Sequence, residues 1–142
     1  MELKEKKILA KIPQRISHAD VLSLIQHNEV TPHYIQAIKG LTNLSDDIIS
    51  DLLNISVKTF RSYKQPEVKV KLKEDIQEHT VMLLALMKHG IDVFGDKEKF
   101  DRWLQTGNPF FGNKKPVQYL NTISGIRFTD DRLTGMEYGD NA

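Results

Sequence analysis

The chain has 142 residues, of which 39% are hydrophobic and 27% charged, and its formal net charge is +1. These values are typical of a folded globular protein, and they exclude a disordered chain and a uniformly basic nucleic-acid binder. The absence of cysteine excludes disulfides, cysteine-ligated zinc and thiol catalysis. No signal-peptide core is present and no run approaches the ~18 apolar residues of a membrane span, so we expect a cytoplasmic protein with no membrane partner.

Charge is unevenly distributed along the chain. Between Lys58 and Lys73, six basic residues stand against one acid, Glu67. After Thr129 the balance reverses, with four acids against Arg132. A basic middle and an acidic C-terminal end favour two different partners over a single one.

The first half of the chain predicts short helices. Residues 1–15 are charge-rich, and we expect them to be mobile. Ser17 is typical of an N-cap, and Thr31 followed by Pro32 begins a second helix, for which Gly40 is the expected end. Ser45 begins a third helix with acidic residues in its first turn, and Ser56 begins a fourth that runs to about residue 63.

The second half begins with the longest helical pattern, from Leu72 to Phe94, with apolar residues at helical spacing. Gly95 ends this helix, and Asp96 caps the next one, which places Phe100, Trp103 and Leu104 on one face.

A turn at Gly107–Pro109 then leads into a knuckle at Phe110–Gly112. Pro116 opens a short helix, and Ser124 is expected to cap the last one. No segment alternates like a strand, so the predicted fold is all-α.

Residues 48–64 predict a helix-turn-helix. The first helix presents Ile49, Leu52 and Leu53 inward, Asn54 tolerates the left-handed turn, and Phe60 holds the second helix to the core. The outward side chains are suited to phosphates and base edges. The candidate DNA-binding residues are Ser56, Lys58, Thr59, Arg61, Ser62 and Lys64. The alternative is an ordinary amphipathic helix pair with a solvated basic face.

Residues 93–120 carry a denser signature. The string begins Val-Phe-Gly-Asp, continues with Phe-Asp-Arg-Trp-Leu at 100–104, Asn-Pro at 108–109 and Phe-Gly at 111–112, and ends with Lys-Pro and Tyr-Leu at 115–120. This string, with the ending Gly-Met-Glu-Tyr-Gly at 135–139, resembles the Xre/MbcA/ParS-type antitoxins. The resemblance covers roughly residues 44–139 and is weak before Leu41.

The resemblance implies a fold and a function. Residues 1–70 would form an extension and an Xre-like helix-turn-helix domain, and residues 71–142 a long helix with a small helical toxin-binding domain. Such antitoxins inhibit a RES-domain toxin that consumes NAD, obstruct its active-site entrance with their C-terminal end, and repress their own operon as homodimers on operator DNA. They form hetero-oligomers with the toxin.

The resemblance also implies toxin-binding residues. Trp103, Asn108 and Pro109 would shape the toxin-binding domain, and Glu137, Tyr138 and Gly139 would lie at or near the toxin's pocket. The residues themselves add Phe110 and Phe111, flanked by glycine and asparagine, as a candidate exposed anchor for the toxin. From the residues alone, Trp103 is as well explained as a core residue, and Phe110–Phe111 as a hydrophobic plug. The acidic end to Ala142 could enter a basic cleft.

No constellation predicts catalysis, a metal or a cofactor. The five histidines form no convincing metal set with carboxylates, and Asp130–Asp131 is expected to be a solvated face. We therefore expect no enzyme activity. The main alternative to the antitoxin is a stand-alone helix-turn-helix transcriptional regulator whose C-terminal part only dimerises.

Overall fold

The computed structural model describes residues 3–15, 17–65 and 69–139. Within these ranges the fold is all-α, as predicted. The helices are α1 (Leu3–Ala10), α2 (His18–Gln26), α3 (Pro32–Leu41), α4 (Asp46–Leu52), α5 (Val57–Ser62), α6 (Glu74–Phe94), α7 (Lys97–Leu104) and α8 (Ile123–Glu137), with 3-10 turns at Pro109–Phe111 and Pro116–Tyr119.

Most predicted helix starts are confirmed, because short polar side chains satisfy the free amides of the first turn. Ser17 and the side chain of Asp20 form a reciprocal capping box. Ser45, Ser56 and Asp96 each accept a hydrogen bond from the amide three residues on.

Two predicted helix boundaries are wrong, the start of α8 and the end of α3. The cap of α8 is Thr122, whose extended backbone precedes the helix and whose hydroxyl accepts from the Gly125 amide; Ser124 already lies within the first turn. Helix α3 continues through Gly40 to Leu41, because burial of the Leu41 side chain outweighs the low helix propensity of glycine.

The charged N-terminal segment is ordered, contrary to expectation, over its described residues 3–15. Ile8, Leu9 and Ile12 of this segment are buried in the core. Lys88 Nζ donates to the carbonyl oxygens of Leu9 at 2.7 Å and Ile12 at 2.5 Å, which satisfies the end of α1 from another helix. The buried apolar side chains and the hydrogen bonds from Lys88 explain why this charge-rich segment forms a helix that packs on the core.

Helix α6 is the centre of the molecule. Every residue from Val81 to Met87 is buried, and α6 packs against α2, α3, α7 and α8. Apart from Phe111, the buried hydrophobic residues of both halves, within the described ranges, form one core cluster. Asp101 of α7 also accepts from the Thr42 hydroxyl at 2.6 Å and the Asn43 amide at 2.7 Å. The two halves are therefore joined by packing and by buried hydrogen bonds, and the boundary at residue 70 stays a prediction.

A membrane-spanning role for these helices receives no support. Across the part of the chain that the structure describes, no helix combines the length and apolar character needed to cross a bilayer.

Candidate functional site

The two helices of the predicted helix-turn-helix, α4 and α5, are joined by the left-handed turn expected at Asn54. Asn54 adopts the left-handed conformation with φ 58° between α4 and α5, and the Ile55 amide donates back to the Ser50 carbonyl at 3.0 Å. Phe60 is fully buried, and Gln36 of α3 donates to its carbonyl at 3.0 Å. The turn and these anchors fix the orientation of α5 relative to α4.

The predicted DNA-binding residues lie on and just beyond α5. Lys58, Arg61 and Lys64 are exposed. The hydroxyl of Ser56 caps the helix, and the hydroxyl of Ser62 donates to the Thr59 carbonyl at 2.6 Å. The structure thus presents three cations to solvent, whereas the Ser56 and Ser62 hydroxyls are engaged within the helix.

A carboxylate that the sequence analysis did not single out lies among these cations. Asp46 Oδ1 is 3.0 Å from Lys39 Nζ, and Asp46 Oδ2 is 3.3 Å from Arg61 Nε and 3.2 Å from Lys64 Nζ. Hydrogen bonds from Lys39, and then from Lys64 and Arg61, lower the pKa of Asp46 to about 2 against the opposing effect of burial. Only the fold could reveal this cluster, because Asp46 and Arg61 are 15 residues apart in sequence.

The second candidate site is built on the 107–114 loop, which Asn108 organises. The Asn108 side chain accepts from the Phe110 amide at 2.9 Å. The backbone carbonyl of Asn108 accepts from the backbone amides of Phe111 and Asn113, each at 2.9 Å. Its backbone amide donates to the Lys114 carbonyl. Gly112 and Asn113 both have positive φ, which closes the knuckle. Asn108 is itself buried, so its role in this structure is to shape the loop.

Beneath the loop lies an aromatic cluster. The Trp103 ring packs 5.6 Å from Phe94, 6.1 Å from Phe100 and 5.7 Å from Phe111, measured between centroids. Phe111 is 1% exposed and also contacts Tyr119. Trp103 and Phe111 therefore support the loop from below, as the core interpretation of Trp103 and the plug interpretation of Phe111 expected.

Above this cluster, two aromatic rings beside a partly buried arginine reach solvent. Phe110 is 51% exposed and Phe128 49% exposed. The Arg132 guanidinium lies 3.7 Å from the Phe110 ring centre, and Phe128 packs edge-on against Phe111 at 5.3 Å. We call Phe110, Phe128 and Arg132 the aromatic patch. Exposed aromatic residues beside an arginine are the composition that protein interfaces favour.

The end of α8 is tied down. His89, 1% exposed, places one ring nitrogen 2.6 Å from Asp130 Oδ1 and hydrogen-bonds Glu137 through the other. Arg15 lies 3.5 Å from the same Glu137 carboxylate. Asp130 is therefore engaged in a pair, contrary to the solvated face expected for it. Of the residues predicted to enter a toxin pocket, Tyr138 is 78% exposed, Glu137 is held by His89, and residues 140–142 lie outside the described ranges.

Comparison with known families identifies the region that holds the 107–114 loop and α8. Residues 89–139 match the family model of the antitoxin Xre/MbcA/ParS C-terminal toxin-binding domain. This region is an Xre/MbcA/ParS toxin-binding domain. A search of curated proteins found no match.

The toxin-binding domain spans the end of α6, α7, the 107–114 loop and α8. It begins at His89 and contains the whole aromatic patch. Phe128 and Arg132 were missed from sequence, although their spacing of four residues on a predicted helix was a usable signal, since it places both on one face. His89 was missed because its partners lie 41 and 48 residues away.

The domain has no evident metal centre in the residues described. Within those ranges, no three His, Asp or Glu side chains converge as metal ligands would. The solvent-exposed feature of the toxin-binding domain is instead the pair of half-exposed rings, Phe110 and Phe128, beside Arg132.

Proposed function

We propose that the protein is an antitoxin that binds and inhibits a RES-domain, NAD-consuming toxin and represses its own operon as a dimer. The match of residues 89–139 to an antitoxin's toxin-binding domain carries the antitoxin role. The RES identity of the toxin rests on the resemblance of residues 93–120 to antitoxins with that partner. On this proposal the chain acts by binding and not by catalysis.

We assign toxin contact to the aromatic patch. Phe110 and Phe128 expose about half of their surface to solvent, although burial of a ring of this size is favourable. Arg132, which lies against Phe110, gives the patch a positive charge that favours an acidic surface on the partner. Among the predicted toxin-binding residues, Trp103, Asn108 and Phe111 act indirectly by shaping the loop beneath the patch.

We assign obstruction of the toxin's active site to the chain beyond Glu137. The side chain of Glu137 is held by His89 and Arg15. Tyr138, which also interacts with Arg15, is the first side chain at this end that is mostly exposed. Anchoring at Glu137 fixes where the terminal segment leaves the domain, which limits the conformational entropy that it loses on binding.

Autorepression is supported by the helix-turn-helix. The tight turn between α4 and α5 and the exposed cations of α5 support major-groove docking with phosphate contacts. A dimer is needed because one short recognition helix makes few phosphate contacts. The same geometry supports the alternative, a stand-alone regulator, which differs by having no toxin partner.

Co-expression tests the proposal. A RES-domain toxin from the same operon is expressed with and without this chain, and growth, cellular NAD and co-purification are followed. We expect the chain to restore growth and NAD and to purify with the toxin. Absence of rescue and of a complex would refute the antitoxin role, whereas operator binding alone would favour the stand-alone regulator.

Variants refine this experiment. Phe110→Ala should weaken toxin binding by about tenfold or more while the chain stays folded, because a hot-spot aromatic is lost from an exposed position. Leu22→Ala is the matched control, since Leu22 is 55% exposed but lies on α2, outside the matched domain. A chain that ends at Glu137 should still bind the toxin but inhibit it poorly. Full inhibition by this shortened chain would remove the terminal segment from the mechanism.

A further inference from the structure

Two cations on and just after α5, Arg61 and Lys64, form ion pairs with an acidic residue of the preceding helix, α4. Asp46 lies 3.3 Å from Arg61 and 3.2 Å from Lys64, two of the residues predicted to contact DNA. Its other oxygen is 3.0 Å from Lys39, which also donates to the Leu44 carbonyl at 3.2 Å. Lys39 is thus held by α3 and its loop, whereas Arg61 and Lys64 extend from α5 and the turn after it.

The arrangement is chemically similar to a protein–phosphate contact. A carboxylate, like a DNA phosphodiester, offers two oxygens that share one negative charge, and guanidinium and ammonium groups bind both. The side chain of Asp46 is only 16% exposed, but those of Arg61 and Lys64 are 57% and 47% exposed. The two cations can therefore be reached from solvent while they hold Asp46.

We propose that Asp46 occupies the place of a DNA phosphate in the free protein, so that Arg61 and Lys64 exchange Asp46 for the DNA backbone on binding. The inference rests on the proposed operator binding and adds a residue that limits it. Three cations and one carboxylate leave the cluster a net charge of +2. Asp46 thereby weakens every phosphate contact of this cluster, whatever the DNA sequence, and base contacts must supply the discrimination.

Asp46→Asn tests the exchange. The affinity of the full-length chain for a short mixed-sequence DNA duplex is measured over a range of salt concentrations. Affinity should rise about three- to tenfold at ~0.1 M salt, because two exposed ion pairs no longer compete with phosphate. The plot of log affinity against log salt should steepen by about one unit, because the variant has no released carboxylate that takes up a cation from solution on binding.

Asp47→Asn is the matched control. It removes the same charge one residue away, but Asp47 lines a different depression, together with Val117 and Asn121. Its effect on affinity should be clearly smaller. Asp46→Ser provides a second test of the exchange with a different side chain, and circular dichroism verifies that each variant is folded. Arg61→Ala should abolish most of the gain when combined with Asp46→Asn.

Each outcome either supports or overturns the proposed exchange. The exchange is supported if the Asp46 variants gain more DNA affinity than Asp47→Asn does. It is also supported if only the Asp46 variants bind DNA measurably. Unchanged or weaker binding overturns it and makes Asp46 a residue that positions Arg61. Equal gains at both positions also overturn it, since general charge would explain them. If neither the parent nor any variant binds DNA, the proposed operator binding fails together with the exchange.

Discussion

His89 is almost inaccessible to solvent, and both of its ring nitrogens face carboxylates, Asp130 and Glu137. An imidazole can donate to two carboxylates only when it carries both protons. Burial by itself would lower the pKa of His89, but the hydrogen bonds to Glu137 and Asp130 raise it above its ordinary value. The hydrogen bond from His89 in turn lowers the pKa of Glu137. The pair therefore links the end of α8 to α6 in a pH-dependent way.

We predict that His89→Gln destabilises the protein most between pH 4.5 and pH 6.5, the ordinary pKa values of the two groups. The contribution of His89 to the free energy of unfolding is complete below pH 6.5 and is lost as the pH rises through the raised pKa of His89. The contribution of Glu137 is present above pH 4.5 and is lost as the pH falls through the lowered pKa of Glu137. Removal of His89 should cost about 2 kcal/mol within this window.

Urea unfolding of parent and variant across this range provides the measurement. His27→Gln, at an exposed position at the end of α2, is the control and should keep the parent's profile. A constant difference between parent and His89→Gln at all pH values would show that the imidazole is not charged in this pair.

Local residue roles could be predicted better than distant ones. Ser45, Ser56, Asp96 and the left-handed Asn54 act within three residues of themselves, so composition and spacing reveal them. Partnerships such as His89 with Glu137 depend on which helices become neighbours, and no local pattern carries that information.

At the scale of elements, α8 begins in close contact with the 3-10 turn that precedes it. Thr122 caps the helix, and Gly125 in its first turn lies so close to the Tyr119 carbonyl that an added Cβ would stand 1.6 Å from its oxygen. A glycine here sets the distance between α8 and the turn, and thereby the position of Phe128 in the aromatic patch. The sequence predicted the helix but placed the cap at Ser124, because either hydroxyl satisfies the capping pattern.

Gly125→Ala should therefore destabilise the chain by about 2–3 kcal/mol, since backbone must move to admit the methyl group. Ser124→Ala, one residue earlier and exposed, should change stability by no more than about 0.5 kcal/mol. Thermal unfolding of the two variants compares them directly. Equal losses would mean that Ser124, and not Thr122, caps α8.

At the scale of the whole molecule, the helices predicted to bind DNA and the toxin-binding domain share a core with α6. Leu83, Leu84 and Leu86 are at most 1% exposed and belong to the core cluster that includes residues of α3, α5, α7 and α8. The all-α class followed from helical periodicity and the lack of strand alternation. The common core did not, because the sequence gives no contacts between helices and the composition shift near residue 70 favours a division.

Leu83→Ala should cost about 2–5 kcal/mol through the cavity it leaves. Because the core is common, amides of α5 and α8 should lose hydrogen-exchange protection by the same amount of free energy. Exchange measured by mass spectrometry on parent and variant tests this. Loss of protection confined to α8 would instead show that the two halves unfold independently.

The position of Trp103 has a practical consequence. It is the one tryptophan of the chain, and it lies in the toxin-binding domain between Phe100 and Phe111, directly below the loop that carries Phe110. Its indole nitrogen is buried, and none of the residues that the structure describes forms a hydrogen bond with it. The intrinsic fluorescence of the native chain therefore comes chiefly from this one site. A shift of emission on adding toxin would report rearrangement beneath the 107–114 loop without any label.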